Sequence, residues 1–149
     1  MKRRLTRAEV LYLADYELAR FKQLMFRHQL PPAALHGDAS GSYSIVTCVC
    51  LVVGDLLVQH TSLTREEFSE LPEAQVVKMV GGYLRAKEGK VVWLGFRRRL
   101  NGAVELTFGT KEDIFADFLS SDTEAGALLS IGGTFVEMGF RADELGVGM

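Results

Sequence analysis

The chain has 149 residues, 48% hydrophobic and 24% charged, with Lys+Arg 17 against Asp+Glu 19 for a net charge of -2. These values suit a single globular domain spanning residues 1–149. No run approaches the roughly 18 apolar residues of a membrane span, so no membrane partner is expected. No low-complexity tract or charge block argues for disorder. The basic start Met1-Lys2-Arg3-Arg4 is not followed by the apolar stretch of a signal peptide.

Thr6-Arg7-Ala8-Glu9 reads as a capping box, with Glu three residues after a Thr N-cap. Leu11, Ala14, Leu18, Phe21 and Met25 then form one helical stripe, which Pro31-Pro32 ends near residue 29. Residues 33–43 are rich in small and turn-forming residues and read as a loop. Residues 44–53 (SIVTCVCLVV) are nearly continuously apolar and read as a central strand. Gly54-Asp55 reads as a two-residue turn, with residues 56–61 returning as the partner strand.

Thr64-Arg65-Glu66-Glu67 is a second capping box, and Pro72 stands at a helix start. Val76, Val77, Val80, Tyr83 and Leu84 supply an apolar stripe, and Gly89 is a stop signal. Gly81-Gly82 leaves open a helix ending at Val80, with a short strand over 83–87.

Residues 91–109 form the clearest hairpin. A three-residue loop, Leu100-Asn101-Gly102, groups Val92, Leu94, Phe96, Val104, Leu106 and Phe108 on one face. Trp93, Arg97, Arg99, Glu105 and Thr107 take the other. Thr110-Lys111-Glu112-Asp113 starts a third helix, with Ile114, Phe115, Phe118 and Leu119 as its apolar side. Asp122 is expected to cap a fourth element over 123–139, helical in period, although Gly132-Gly133 would also serve as a hairpin turn. Residues 141–149 read as a frayed tail.

Residues 5–15 (LTRAEVLYLAD) and 63–73 (LTREEFSELPE) are identical at five of eleven positions. Each precedes a helix and an expected hairpin, giving two αββ units or, equally, two convergent helix starts. The resulting order, α-ββ-α-ββ-α(α), predicts an α+β two-layer sandwich, an antiparallel sheet from two hairpins covered by helices. In architecture alone this order resembles small dimeric chaperones of secretion effectors and other two-layer adaptors.

Few constellations point to chemistry. Cys48, Cys50 and His60 have zinc-ligand character, but the expected strand pairing sends His60 to the opposite face, so neither metal nor cofactor is expected. The low cysteine count fits a reducing, cytoplasmic compartment. The 36–42 loop contains His36, Asp38, Ser40 and Ser42, residue types suited to a small enzyme, without a nucleophile-elbow pattern. The basic aromatic hairpin over 90–99 is the main binding candidate, through Lys90, Trp93, Arg97, Arg98 and Arg99. Trp and Arg are enriched at protein hot spots, and Arg beside an aromatic also suits nucleic acid.

The leading expectation is a non-enzymatic protein-binding or adaptor domain acting as a homodimer. A nucleic-acid binder using 90–99 and an enzyme using 36–42 are the alternatives. Residues 1–110 carry 15 basic and 11 acidic side chains, net +4, whereas residues 111–149 carry 2 and 8, net -6. If the two regions meet, the arginines are structural.

Overall fold

The computed structural model describes residues 4–35 and 42–147. The chain is α+β. Among the described residues, helices α1 (Arg7–Ala14), α2 (Leu18–Phe26), α3 (Ile45–His60), α4 (Arg65–Ser69) and α5 (Glu73–Lys87) precede the hairpin β1 (Trp93–Arg99) and β2 (Val104–Gly109). Then come α6 (Lys111–Phe118), β3 (Thr123–Ser130) and α7 (Gly132–Glu144), with one 3-10 turn at Pro32–Leu35.

The largest departure from expectation is α3. Residues 44–61 were expected as a hairpin, but Ile45–His60 form one 16-residue helix with Gly54-Asp55 inside it. Thr47, Cys48, Val49, Cys50 and Leu51 are all buried, and five successive residues point in every direction around a helix axis. A helix apolar on all sides carries no period to separate it from a buried strand. Its neighbours meet it at identifiable residues. The Cys48 Sγ lies 4.0 Å from the Val10 carbonyl of α1, and the Cys50 Sγ 4.0 Å from the Met79 Sδ of α5. The Thr47 hydroxyl donates to the Ala34 carbonyl at 2.7 Å. Phe68 of α4 packs on Gly54, where a Cβ would come within 2.7 Å of its ring. Asp55 accepts from the Tyr16 hydroxyl at 2.8 Å and pairs with Arg20 and Arg65, tying α3 to α2 and α4.

Both capping boxes form as read. Each Thr cap follows a buried leucine, Leu5 or Leu63, and Val10 and Phe68 at the fourth helical positions are buried too, the arrangement of a hydrophobic staple. The first helix stops earlier than expected, because Asp15 takes a left-handed conformation at φ 50° and splits it into α1 and α2. Helix α5 runs through Gly81-Gly82 to Lys87, with Gly89 at φ 88° after its cap.

The sheet is antiparallel, in the order β2-β1-β3. The hairpin has the expected register, Arg97 opposite Glu105 and Leu94 opposite Phe108. The expected helix over 123–139 is instead β3 followed by α7. Asp122 therefore caps no helix, and pairing with β1 overrides the helix-permissive sequence Ala125-Gly126-Ala127-Leu128. With the first hairpin a helix, the two αββ units dissolve. The likeness to dimeric chaperones rested on that order and goes with it. Residues 141–144 belong to α7, and Val147 beyond it is buried, so the tail is docked that far.

Leu94, Phe96, Leu106 and Phe108 face α5 and α7, where Phe135 meets Tyr83 edge-on at 5.9 Å. The opposite face carries α6. Gly95 makes room for it: a Cβ there would come within 2.5 Å of the Ile114 Cγ2. The branched Ile114 is fully buried and has nowhere to retreat. Gly95→Ala is therefore expected to cost about 1–3 kcal/mol, read as a lower urea midpoint with an unchanged m-value.

Candidate functional site

The predicted binding residues are held by the chain's own acids. Arg97 is only 6% exposed. Its Nη2 donates to Glu105 Oε1 at 2.8 Å, and its Nη1 to the Asp117 carbonyl at 3.0 Å and the Thr123 hydroxyl at 3.2 Å. Arg99 donates to Glu105 Oε2 at 3.1 Å and pairs with Asp122. Arg97 and Asp122 lie 3.6 Å apart, so two guanidinium groups and two carboxylates close into one neutral network. Arg98, on the other face, donates to both Glu67 oxygens at 2.9 and 3.0 Å. Glu67 thus serves its own helix cap and binds β1 as well. Trp93 is half-buried, with the Lys111 Nζ 4.4 Å from its ring centre, and Lys90 lies 3.4 Å from Glu88. The structure therefore groups Trp93, Arg97 and Arg99 on the α6 side, with Arg98 across the sheet.

The electrostatics follow from this geometry. Hydrogen bonds from Arg98 and from the Thr64 backbone hold the Glu67 carboxyl below its usual range. At Glu105 burial works against the charge, but bonds from Arg99 and Arg97 outweigh it and lower the value. Asp122 is lowered by the Ser120 hydroxyl and then by Arg99.

The other candidates separate. Cys48 and Cys50 were expected on one strand face. On a helix, residues two apart point in nearly opposite directions, and these two turn toward α1 and α5 respectively. Burial raises both thiols, Cys50 to about 12, which leaves them without nucleophilic thiolate at neutral pH. His60 is exposed at the end of α3. In the 36–42 loop, His36, Asp38 and Ser40 lie outside the described residues, as do Lys2 and Arg3.

The surface carries a different feature as well. An apolar groove of about 1130 Å³ runs along α5, lined by Val76, Val77, Val80, Gly81 and Leu84 and walled by Ile45 and Val46 of α3. Pro32, Ala33, Leu71 and Val147 also line it, with Glu70 and Glu73 among its polar residues. Helices α3 and α5 run antiparallel, since Cys50 meets Met79 while Gly54 meets Phe68 just before α5. Glu70 and Glu73 therefore mark the end opposite Val46 and Leu84. Val77 is 62% exposed on this wall. The sequence held a signal for the groove: α5 carries two adjacent apolar arcs. Val76, Met79, Gly82, Tyr83 and Ala86 enter the core, and Val77, Val80 and Leu84 beside them keep part of their surface exposed.

Comparisons with family models, curated proteins and solved structures find no match to this chain.

Two outcomes follow from the ion network. Carboxyl groups with lowered folded-state values contribute stability that is fully present above the unfolded value near pH 4 and is lost as pH falls through the folded value. Thermal melts are thus expected to hold steady from pH 7 to about 5 and to fall below about 4, with Glu105→Gln shallower in acid and less stable at pH 7. Arg97→Ala leaves Glu105 and Asp122 to share Arg99 alone and is expected to cost about 2–3 kcal/mol, less than for a fully buried pair because Glu105 and Asp122 keep solvent access. Chemical denaturation measures it.

Proposed function

We propose that the chain is a non-enzymatic protein-binding domain of the adaptor kind, and that the groove along α5 takes an amphipathic helix of its partner. The observation that carries this reading is the groove itself, an apolar cleft bounded by valines and a leucine of α5. Apolar surface left in a cleft of this size is characteristic of recognition sites. Val76, Val80 and Leu84 recur every four residues along it, matching the ridge spacing of a docked helix. The acidic end at Glu70 and Glu73 favours the positive N-terminal end of such a helix, or basic residues in its first turn.

The nucleic-acid reading has less support. The guanidinium donors that would contact phosphate are already engaged by Glu67, Glu105 and Asp122, and the acidic C-terminal third supplies Asp122 against the basic hairpin. The enzyme reading rests on His36, Asp38 and Ser40, which lie outside the described residues, and on Ser42, whose hydroxyl accepts from the Arg4 guanidinium at 2.8 Å.

Gly81 offers the test. It lines the groove and has open space where a Cβ would stand. Gly81→Leu should narrow the groove at its middle and, by removing a mid-helix glycine, raise stability by up to about 1 kcal/mol. Binding of a labelled amphipathic model peptide with a basic N-terminal turn, followed by anisotropy, is expected to weaken about tenfold in that variant. Equal binding by the native chain and by Gly81→Leu, or no binding by either, would overturn the groove as the site.

A further inference from the structure

The two edges of the sheet are treated very differently. An edge strand presents unpaired backbone groups, and proteins usually cover or block them. On β2, helix α5 does this with side chains. Gln75 accepts from the Leu106 N–H at 3.1 Å, Lys78 donates to the Leu106 carbonyl at 3.1 Å, and Arg85 donates to the Phe108 carbonyl at 2.8 Å.

Among the described residues the outer edge of β3 has no such cover. Backbone direction alternates along a strand. The Arg99 N–H bonds to Ala103 across the hairpin, so Leu94, Phe96 and Arg98 of β1 turn toward β3 and meet Leu129, Ala127 and Ala125. Gly126 and Leu128 therefore point their N–H and C=O groups outward. Among the described residues no hydrogen bond reaches them. Ala125 and Gly126 are exposed, and no lysine, arginine or proline interrupts Thr123–Ser130.

Apolar surface continues from this edge onto α6. Asp117 reaches Thr107 on β2, while Phe118 packs over Gly126 on β3. The flank bearing Phe115 and Leu119 therefore lies on the β3 side. Phe115 is 49% exposed and Leu119 86%.

We infer that β3 and this flank of α6 form the seam of a homodimer, in which β3 pairs antiparallel with β3 of a second copy and joins two three-stranded sheets into one. A two-fold axis produces antiparallel pairing of identical strands. Pairing about Ala127 sets Gly126 of one copy beside Leu128 of the other and satisfies their outward groups with four backbone hydrogen bonds. It also places Glu124 beside Ser130, keeping the two carboxylates at opposite ends. The charge pattern thus suits a second copy. Strands lie about 4.8 Å apart, so the two α6 helices, each over its own β1, would be about 14 Å apart. That exceeds the usual helix separation of about 8–10 Å, and Phe115, Phe118 and Leu119 fill the difference. This seam is distinct from the groove on α5, so either can fail without the other.

Size exclusion with light scattering, run on the full chain across micromolar to submillimolar concentrations, tests the seam. The expected mass is twice that of the 16.5 kDa chain. Leu119→Glu, at a highly exposed position, should weaken the dimer about tenfold or more. Leu128→Pro removes an outward N–H, which an edge strand tolerates, and should give a monomer with unchanged far-UV circular dichroism. Amide exchange at Gly126 and Leu128 should slow as concentration rises. A monomer at all concentrations, or a dimer that survives Leu119→Glu with these two amides exchanging freely, overturns the inference. A monomer would leave the edge to a strand from another protein.

Discussion

Over residues 45–54 helix α3 is apolar on almost every side and has little face to offer to water, and this condition shapes the rest of the chain. Helices α1, α4 and α5 and the 3-10 turn each cover part of it, at Cys48, Gly54, Cys50 and Thr47 respectively. Helix α5 then has to serve three neighbours at once. Met79 contacts α3, while Tyr83 meets Phe135 of α7 and Gly82 admits Phe108 of β2. The sheet is thus anchored to α3 through α5, and the groove is the remainder of the α5 surface that this arrangement leaves uncovered.

Much of the local structure was legible because it rests on short-range chemistry. A Thr with Glu three residues on is sufficient to start a helix, and both boxes form. The Arg hairpin was readable because only one register gives coherent faces, and Gly102 at φ 88° accepts the turn. What failed depends on distant neighbours. An unbroken run rich in Val and Cys is compatible with a buried strand or a buried helix, and only the surrounding helices decide between them. Likewise, Ala, Gly and Leu in β3 favour a helix by themselves and become a strand because β1 offers a pairing edge. The candidate site shows the same division. The arginines were visible, but their partners Glu67, Asp117 and Asp122 lie far enough away in sequence that their engagement was not.

The near-zero net charge has a structural counterpart. The acidic C-terminal third contributes Asp122 to the same network as Arg97 and Arg99, so the two halves of the charge asymmetry meet inside the fold. The network also joins the hairpin to the start of β3 and, through the Asp117 carbonyl, to α6. A cluster that reads as a ligand surface in one dimension is in three dimensions a fastening between successive elements.

The side chains of α5 that occupy the edge of β2 also bear on stoichiometry. A sheet open at both margins has no natural limit to its growth and leads to fibres. Gln75, Lys78 and Arg85 close one margin from within the monomer, so any addition of strands is confined to the other. A second copy of this chain joining at β3 would bring an equally covered β2 margin, so a sheet extended in that way would end at two bodies and could not propagate.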